Sequence, residues 1–145
     1  MPDHDLTGAA LYLPERRTFL WFSAEVTLLE RKGGLHAIDA AGRNDLVLPV
    51  SATLGGGYWS IEAMALAADG RHVLLAERFA FRGPGGVTLA VLDLDRRAIV
   101  YQDRFSEDHF CADPQVVLGP RNDFGFAYLD ATAARRVLVH YRLAP

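Results

Sequence analysis

The densest run of reactive side chains in the sequence is Glu107-Asp108-His109-Phe110-Cys111-Ala112-Asp113, which puts a thiol, an imidazole and three carboxylates within seven residues. On a strand, side chains alternate between faces, so His109 and Cys111 would share one. An imidazole beside a thiol can lower its pKa and make a nucleophile, or the pair can begin a metal site. The plainer reading is an acidic connection between two folded units that carries one small buried cysteine, a common use of free Cys. Acidic residues in such a connection also suit partner contact, because they speed encounter with a basic surface. A second run, Leu54-Gly55-Gly56-Gly57-Tyr58-Trp59, invites a phosphate-binding reading. That chemistry needs a following Lys-Ser/Thr and a helix N-terminus to supply donors. Tyr58 and Trp59 follow instead. The glycines read as a flexible connection, and the aromatic pair as a core element or an interface anchor.

Elsewhere the chemistry is thin. His4, His36, His72 and His140 are scattered, and no pair has the i, i+4 spacing of a helical zinc protease. There is no G-x-S-x-G elbow and no dinucleotide fingerprint. The one cysteine, Cys111, cannot form an internal disulfide, and the two ligand pairs of a structural zinc site are absent. No metal and no cofactor is therefore expected. Asp39 and Asp93, at matching strand ends, read as turn devices that accept backbone hydrogen bonds. A formal charge of −3 argues against nucleic acid or an anionic membrane as partner, since both need a basic face. Half of the 145 residues are hydrophobic and 23% are charged, which fits a single β domain over 1–145 with a core of its own. The polar start, Met1-Pro2-Asp3-His4-Asp5, shows no secretory signal. Arginine outnumbers lysine fourteen to one, a bias of GC-rich bacterial genes. A bacterial, cytoplasmic protein is the resulting expectation.

The elements that must carry these residues repeat. Phe19-Leu20-Trp21-Phe22 and Val73-Leu74-Leu75-Ala76 stand 54 residues apart, as do Ile38-Asp39-Ala40 and Leu92-Asp93-Leu94. The doublets Gly33-Gly34 and Gly85-Gly86 are 52 apart, and Leu46-Val47-Leu48 falls near Ile99-Val100-Tyr101 after the same shift. Landmarks recurring in order at one spacing are the mark of a repeat architecture. A third, shorter copy runs through Val116-Val117-Leu118, a turn at Gly119 to Asp123, Phe124 to Leu129 and Val137 to Leu143. The copies span about 6–50, 58–105 and 114–143. Between them lie the glycine stretch Ser51 to Gly57 and the acidic stretch Ser106 to Asp113.

Each copy reads as an antiparallel meander. Asp69-Gly70 between apolar runs signals a hairpin, because glycine accepts the positive φ of tight turns. Val73 to Ala76 is apolar on both faces, which calls for cover on two sides, whereas Ile99 to Phe105 alternates as a half-exposed strand does. Ser60 to Ala68 is rich in helix formers behind a capping serine, so a helix competes there with the strand that the repeat demands. The incomplete third copy would leave an edge at Val137 to Leu143, to be covered by the segment Leu6 to Leu13 or by a second chain.

The stretch Ala65-Leu66-Ala67-Ala68-Asp69-Gly70-Arg71-His72-Val73-Leu74-Leu75-Ala76 resembles the first hairpin of a β-propeller blade of the broad WD-like and TolB-like superfamily. The resemblance extends over 61–103, with weaker counterparts over 8–48 and 114–143. It implies an all-β fold of three blade-like meanders, the third incomplete, and a rigid scaffold that presents loops to a partner. The Trp-Asp dipeptide of WD repeats is missing, and three copies fall short of the ~4–8 blades that close a ring.

These observations favour a non-enzymatic protein-binding module, such as an inhibitor or immunity protein that neutralises a cognate toxin. Its contact residues would be Tyr58, Trp59, Glu107, Asp108, His109, Phe110 and Asp113. Two alternatives stand beside it. One is a small-ligand binder or enzyme with a site between blades around His109 and Cys111. The other is a self-assembling propeller in which copies pair, with a homodimer as its simplest form.

Overall fold

Eleven strands and no helix make up the residues described by a computed structural model of the chain, which are 4–26, 31–49, 58–80, 86–105 and 111–144. The first sheet contains β1 (His4–Leu13), β2 (Thr18–Val26), β3 (Arg31–Asp39) and β4 (Asn44–Pro49). The second contains β5 (Tyr58–Leu66), β6 (His72–Ala80), β7 (Gly86–Asp93) and β8 (Ala98–Phe105). The third contains β9 (Cys111–Leu118), β10 (Asp123–Asp130) and β11 (Arg135–Arg142). Each sheet is an antiparallel meander in chain order, with four, four and three strands. The repeat is therefore structural, and the segment with helix-forming composition is strand β5. Its residues pair with β6 from Tyr58↔Ala80 to Leu66↔Val73, and that ladder, joined to a buried face, overrides a propensity difference of tenths of a kcal/mol per residue.

The sheets stack as blades. Their first strands lie side by side, β1 against β5 and β5 against β9. One core fills the space between the first two blades, with Leu20, Phe22 and Leu35 meeting Val73, Leu75, Ala90 and Leu92. A second core fills the next gap, where Leu74, Ala76, Leu89 and Val91 meet Phe124, Phe126 and Cys111. Because side chains alternate along a strand, β6 and β7 supply both cores at once. Every residue of β7 is buried. This is the cover on two sides that the unbroken apolar run of β6 requires.

The turns follow their chemistry. Gly70 takes a φ of +71°, and its N–H donates to the Ala67 carbonyl at 3.0 Å. Asp39 Oδ1 accepts the N–H groups of Ala41 and Arg43 at 3.0 and 2.9 Å, and Asp93 Oδ1 accepts those of Asp95 and Arg96 at 2.9 and 3.1 Å. The matched aspartates are turn devices. Asp93 is also buried, and the Arg71 guanidinium lies 2.7 Å from its Oδ2.

Two expectations need correction. The segment Leu6 to Leu13 does not cover the edge at 137–143, because β1 is the first strand of its own blade and pairs with β2. Along β8, Tyr101 is exposed rather than facing inward as part of a simple alternation. A register shift between Val91↔Tyr101 and Leu92↔Ile99 interrupts the period there.

Candidate interaction faces

The acidic stretch is only partly a connection. Cys111 and Asp113 belong to β9, where Asp130 stands opposite Cys111. Cys111 is buried in the second core, and burial, reinforced by Asp130, pushes its thiol above the ordinary cysteine range. A nucleophilic thiol needs the opposite shift. Glu107, Asp108, His109 and Phe110 lie outside the described residues, as does the glycine run 51–57. Tyr58 and Trp59 open strand β5, in register with Ala80 and Phe79.

Asp113 is exposed and sits where β9 shifts register against β10, with a φ of +51°. Such a bulge re-aims a side chain. The neighbouring first strand has its own shift around Glu62. Glu62 and Asp113, with Ala63, Pro114, Gln115 and Val116, line an open recess of about 450 Å³ between β5 and β9. Burial raises the Glu62 carboxyl above its usual range; Arg78 opposes this and Asp113 adds to it. The sequence placed Asp113 among candidate contacts but had no signal for Glu62. Among the described residues, no group of three or more His, Cys, Asp or Glu is arranged to hold a metal ion.

A second polar group lies at one end of the middle blade. Arg71 bridges Asp93 and Asp95, His72 Nδ1 lies 2.6 Å from Asp69 Oδ2, and Arg16 reaches Asp95 from the first blade at 2.8 Å. The Arg71 hydrogen bond holds the Asp93 carboxyl far below the usual carboxylate range, against the effect of burial. The Asp93 and Asp69 carboxylates here also accept backbone N–H groups in their own turns. The cluster ties turns together.

The largest features that the sequence does not single out are the outer faces of the terminal blades. In the first blade, Leu20 and Phe22 point at the middle blade, so Phe19 and Trp21 point away. Phe19 is 53% exposed and Trp21 36%. Tyr12 lies across from Phe19 with ring centroids 4.7 Å apart, and His36 lies beside Trp21 at 6.3 Å. The His36 ring nitrogens sit 3.0 Å from Asn44 Oδ1 and 3.3 Å from the Ser23 carbonyl oxygen, which fixes the ring on this face. Leu46, in register with His36, is also exposed.

The outer face of the third blade is built from smaller side chains. Phe124 and Phe126 point at the middle blade, leaving Gly125 and Ala127 on the outer face, with Val117 on β9 and Leu138 on β11 beside them. Leu138, 69% exposed, folds over Gly125 so closely that a Cβ there would stand 2.8 Å from its Cδ1. One face is an aromatic ridge; the other is a shallower floor on which Gly125, Ala127, Val117 and Leu138 lie among the polar side chains of Gln115, Arg136 and His140. The signal for both was the repeat itself, which gives the end blades the same two-sided apolar pattern as the middle one.

No family model matches the chain, and no curated protein matches it. Among solved structures, the chain is similar to TolB from Acinetobacter baumannii, with a TM-score of 0.55 and 14% identity. That likeness covers 97% of this chain and 30% of the TolB chain. At this identity it speaks for the fold, and the three meanders are β-propeller-like blades.

Proposed function

We propose that the chain is a non-enzymatic protein-interaction module that works through the uncovered faces of its terminal blades. The observation that supports this is where six of the nine large exposed apolar side chains among the described residues fall. Tyr12, Phe19, Trp21 and Leu46 share the outer face of the first blade, and Val117 and Leu138 that of the third. Scattered surface hydrophobics are ordinary, but gathered on one sheet face they mark a contact surface. Aromatic anchors such as Trp21 are the residues that dominate such contacts. The test compares proteins retained by the wild-type chain with those retained by Trp21→Glu and Leu138→Glu variants. Both side chains are exposed, so folding should survive. Association should weaken at least tenfold in one variant or both; retention unchanged in both would refute the proposal.

A second reading is occlusion of a basic partner, such as a toxin, by the acidic side of the chain. It is favoured by the exposed Asp113 beside Glu62 at the bulged inner strands. In that case Asp113→Asn should slow association and flatten its salt dependence, with little change in dissociation.

A further inference from the structure

We infer that the occupant of both open faces is a second copy of this chain, set head to tail, so that two three-blade arcs close one six-blade ring. This rests on the reading of the terminal faces as interaction surfaces, and goes further by naming what covers them.

The repeat shows what each face is for. Phe19, Trp21, His36 and Ile38 precede Val73, Leu75, Ala90 and Leu92 by 54 residues. Their pairing is the same: Phe19↔Ile38 and Trp21↔His36 in the first blade, Val73↔Leu92 and Leu75↔Ala90 in the middle one. The four middle-blade residues are all 0% exposed, packed against the first blade. The aromatic ridge thus occupies positions that, one repeat later, are blade-to-blade contacts.

The same holds at the other end. Gly125 and Ala127 pair with His140 and Leu138 as Leu74 and Ala76 pair with Val91 and Leu89. Those middle-blade residues are buried against the third blade. The floor, on which His140 stands where the middle blade has Val91, occupies positions that, one repeat earlier, carry a following blade.

Volume selects the partner. Where the middle blade meets the third, a face of modest side chains (Leu74, Ala76, Leu89, Val91) receives aromatic ones (Phe124, Phe126, Tyr128, Tyr141). The floor of Gly125, Ala127 and Leu138 against the ridge of Tyr12, Phe19 and Trp21 repeats that pairing with the same polarity. Ridge against ridge or floor against floor would repeat no contact in the molecule, and would stack large on large or leave voids, both costly in close-packed cores. One copy carries one ridge and one floor, so the contact is heterologous, and such contacts give a ring only if the rotation closes. Two copies supply six blades, inside the range of ~4–8 at which propellers close.

The experiment is the solution mass by light scattering. Wild type should be a dimer of about 32 kDa, two chains of 16.0 kDa, that does not grow with concentration. Trp21→Glu and Leu138→Glu should each dimerise at least tenfold more weakly with β circular dichroism unchanged. Ala127→Arg should repeat the Leu138 result from an independent position. Mixing the Trp21 and Leu138 variants restores one intact ridge–floor contact, so dimers should partly return. A monomeric wild type overturns the inference, even where Trp21→Glu still releases a different captured protein. A Leu138→Glu chain that stays fully dimeric overturns it in favour of ridge-to-ridge pairing, and a mass that climbs with concentration overturns ring closure.

Discussion

The two interfaces between blades are built from one repeat but from different materials. Between the first and middle blades the core is aliphatic, with Phe22 its one aromatic among the described residues, and is closed at one end by the Arg16–Asp95 and Arg71–Asp93 ion pairs. Between the middle and third blades it is aromatic. Phe105 stacks on Phe126 at 5.6 Å and contacts Tyr128 at 4.9 Å, while Phe124 stacks on Tyr141 at 5.3 Å. The Tyr141 hydroxyl donates to Asp103 across that gap. The third blade has one strand fewer to bury, and larger side chains on three strands recover area that four strands of aliphatics provide elsewhere. An interface so concentrated depends on fewer residues. It should be more brittle.

That contrast predicts the largest effect. Phe126→Ala removes a fully buried ring at the centre of the aromatic interface and should cost about 3–5 kcal/mol. Leu75→Ala, also fully buried but surrounded by many aliphatic neighbours, should fall toward the low end of ~2–5 kcal/mol. Urea unfolding of the two variants checks this. Equal losses, or a larger loss for Leu75→Ala, would break the comparison.

The pH dependence separates the same regions. Burial, followed by the hydrogen bond to Asp103, pushes the Tyr141 phenol well above the ordinary tyrosine range. Folding therefore favours the protonated phenol. Its contribution is complete below a pH of about 10 and is lost as pH rises beyond that. The Asp93 carboxyl is held low, so its contribution is complete above a pH of about 4 and is lost as pH falls. Tyr141→Phe should cost about 1–2 kcal/mol near neutrality and should flatten the alkaline limb of stability. Asp93→Asn should instead flatten the acid limb. An alkaline limb unchanged by Tyr141→Phe would remove Tyr141 as the source of the difference.

How far these regions were readable beforehand follows from the range of the interactions. The strand pattern was readable almost throughout, because Val73 to Ala76, Asp69-Gly70 and the matched Asp39 and Asp93 act within one hairpin. Repetition settled Ser60 to Ala68, where local propensity pointed to helix. The candidate faces were harder. Cys111, Glu107 and Asp108 are reactive residue types, yet a thiol's reactivity depends on burial and on Asp130, nineteen residues away in the chain. Phe19 and Trp21 mark the repeat in the sequence, but their exposure is set by which neighbours the blades have. An apolar strand shows that both faces want cover, and only the stacking order of blades shows which face has it.

Cys111→Ser should cost about 1 kcal/mol, because a hydroxyl in the second core needs a partner that a thiol does not. Thermal unfolding checks it; a rise in stability would mean that the hydroxyl finds an acceptor, with Asp130 the nearest in register.

The smallest expected effect has the opposite sign. Thr88, in the fully buried β7, carries a hydroxyl with no hydrogen-bond partner. Its register neighbours are Glu77 on β6 and Arg104 on β8. Thr and Val have nearly the same shape, so Thr88→Val exchanges an unsatisfied hydroxyl for a methyl without opening a cavity. Removing the cost of desolvating that oxygen should stabilise the chain by up to about 1 kcal/mol. The direction is decided by whether the hydroxyl is unpartnered, since a satisfied threonine would lose a bond in the same substitution. Denaturant midpoints of wild type and Thr88→Val, measured at equal slope, give the sign directly. Destabilisation by Thr88→Val would show that the middle blade, like the aromatic interface beside it, relies on a buried polar contact, and would narrow the difference between the two regions.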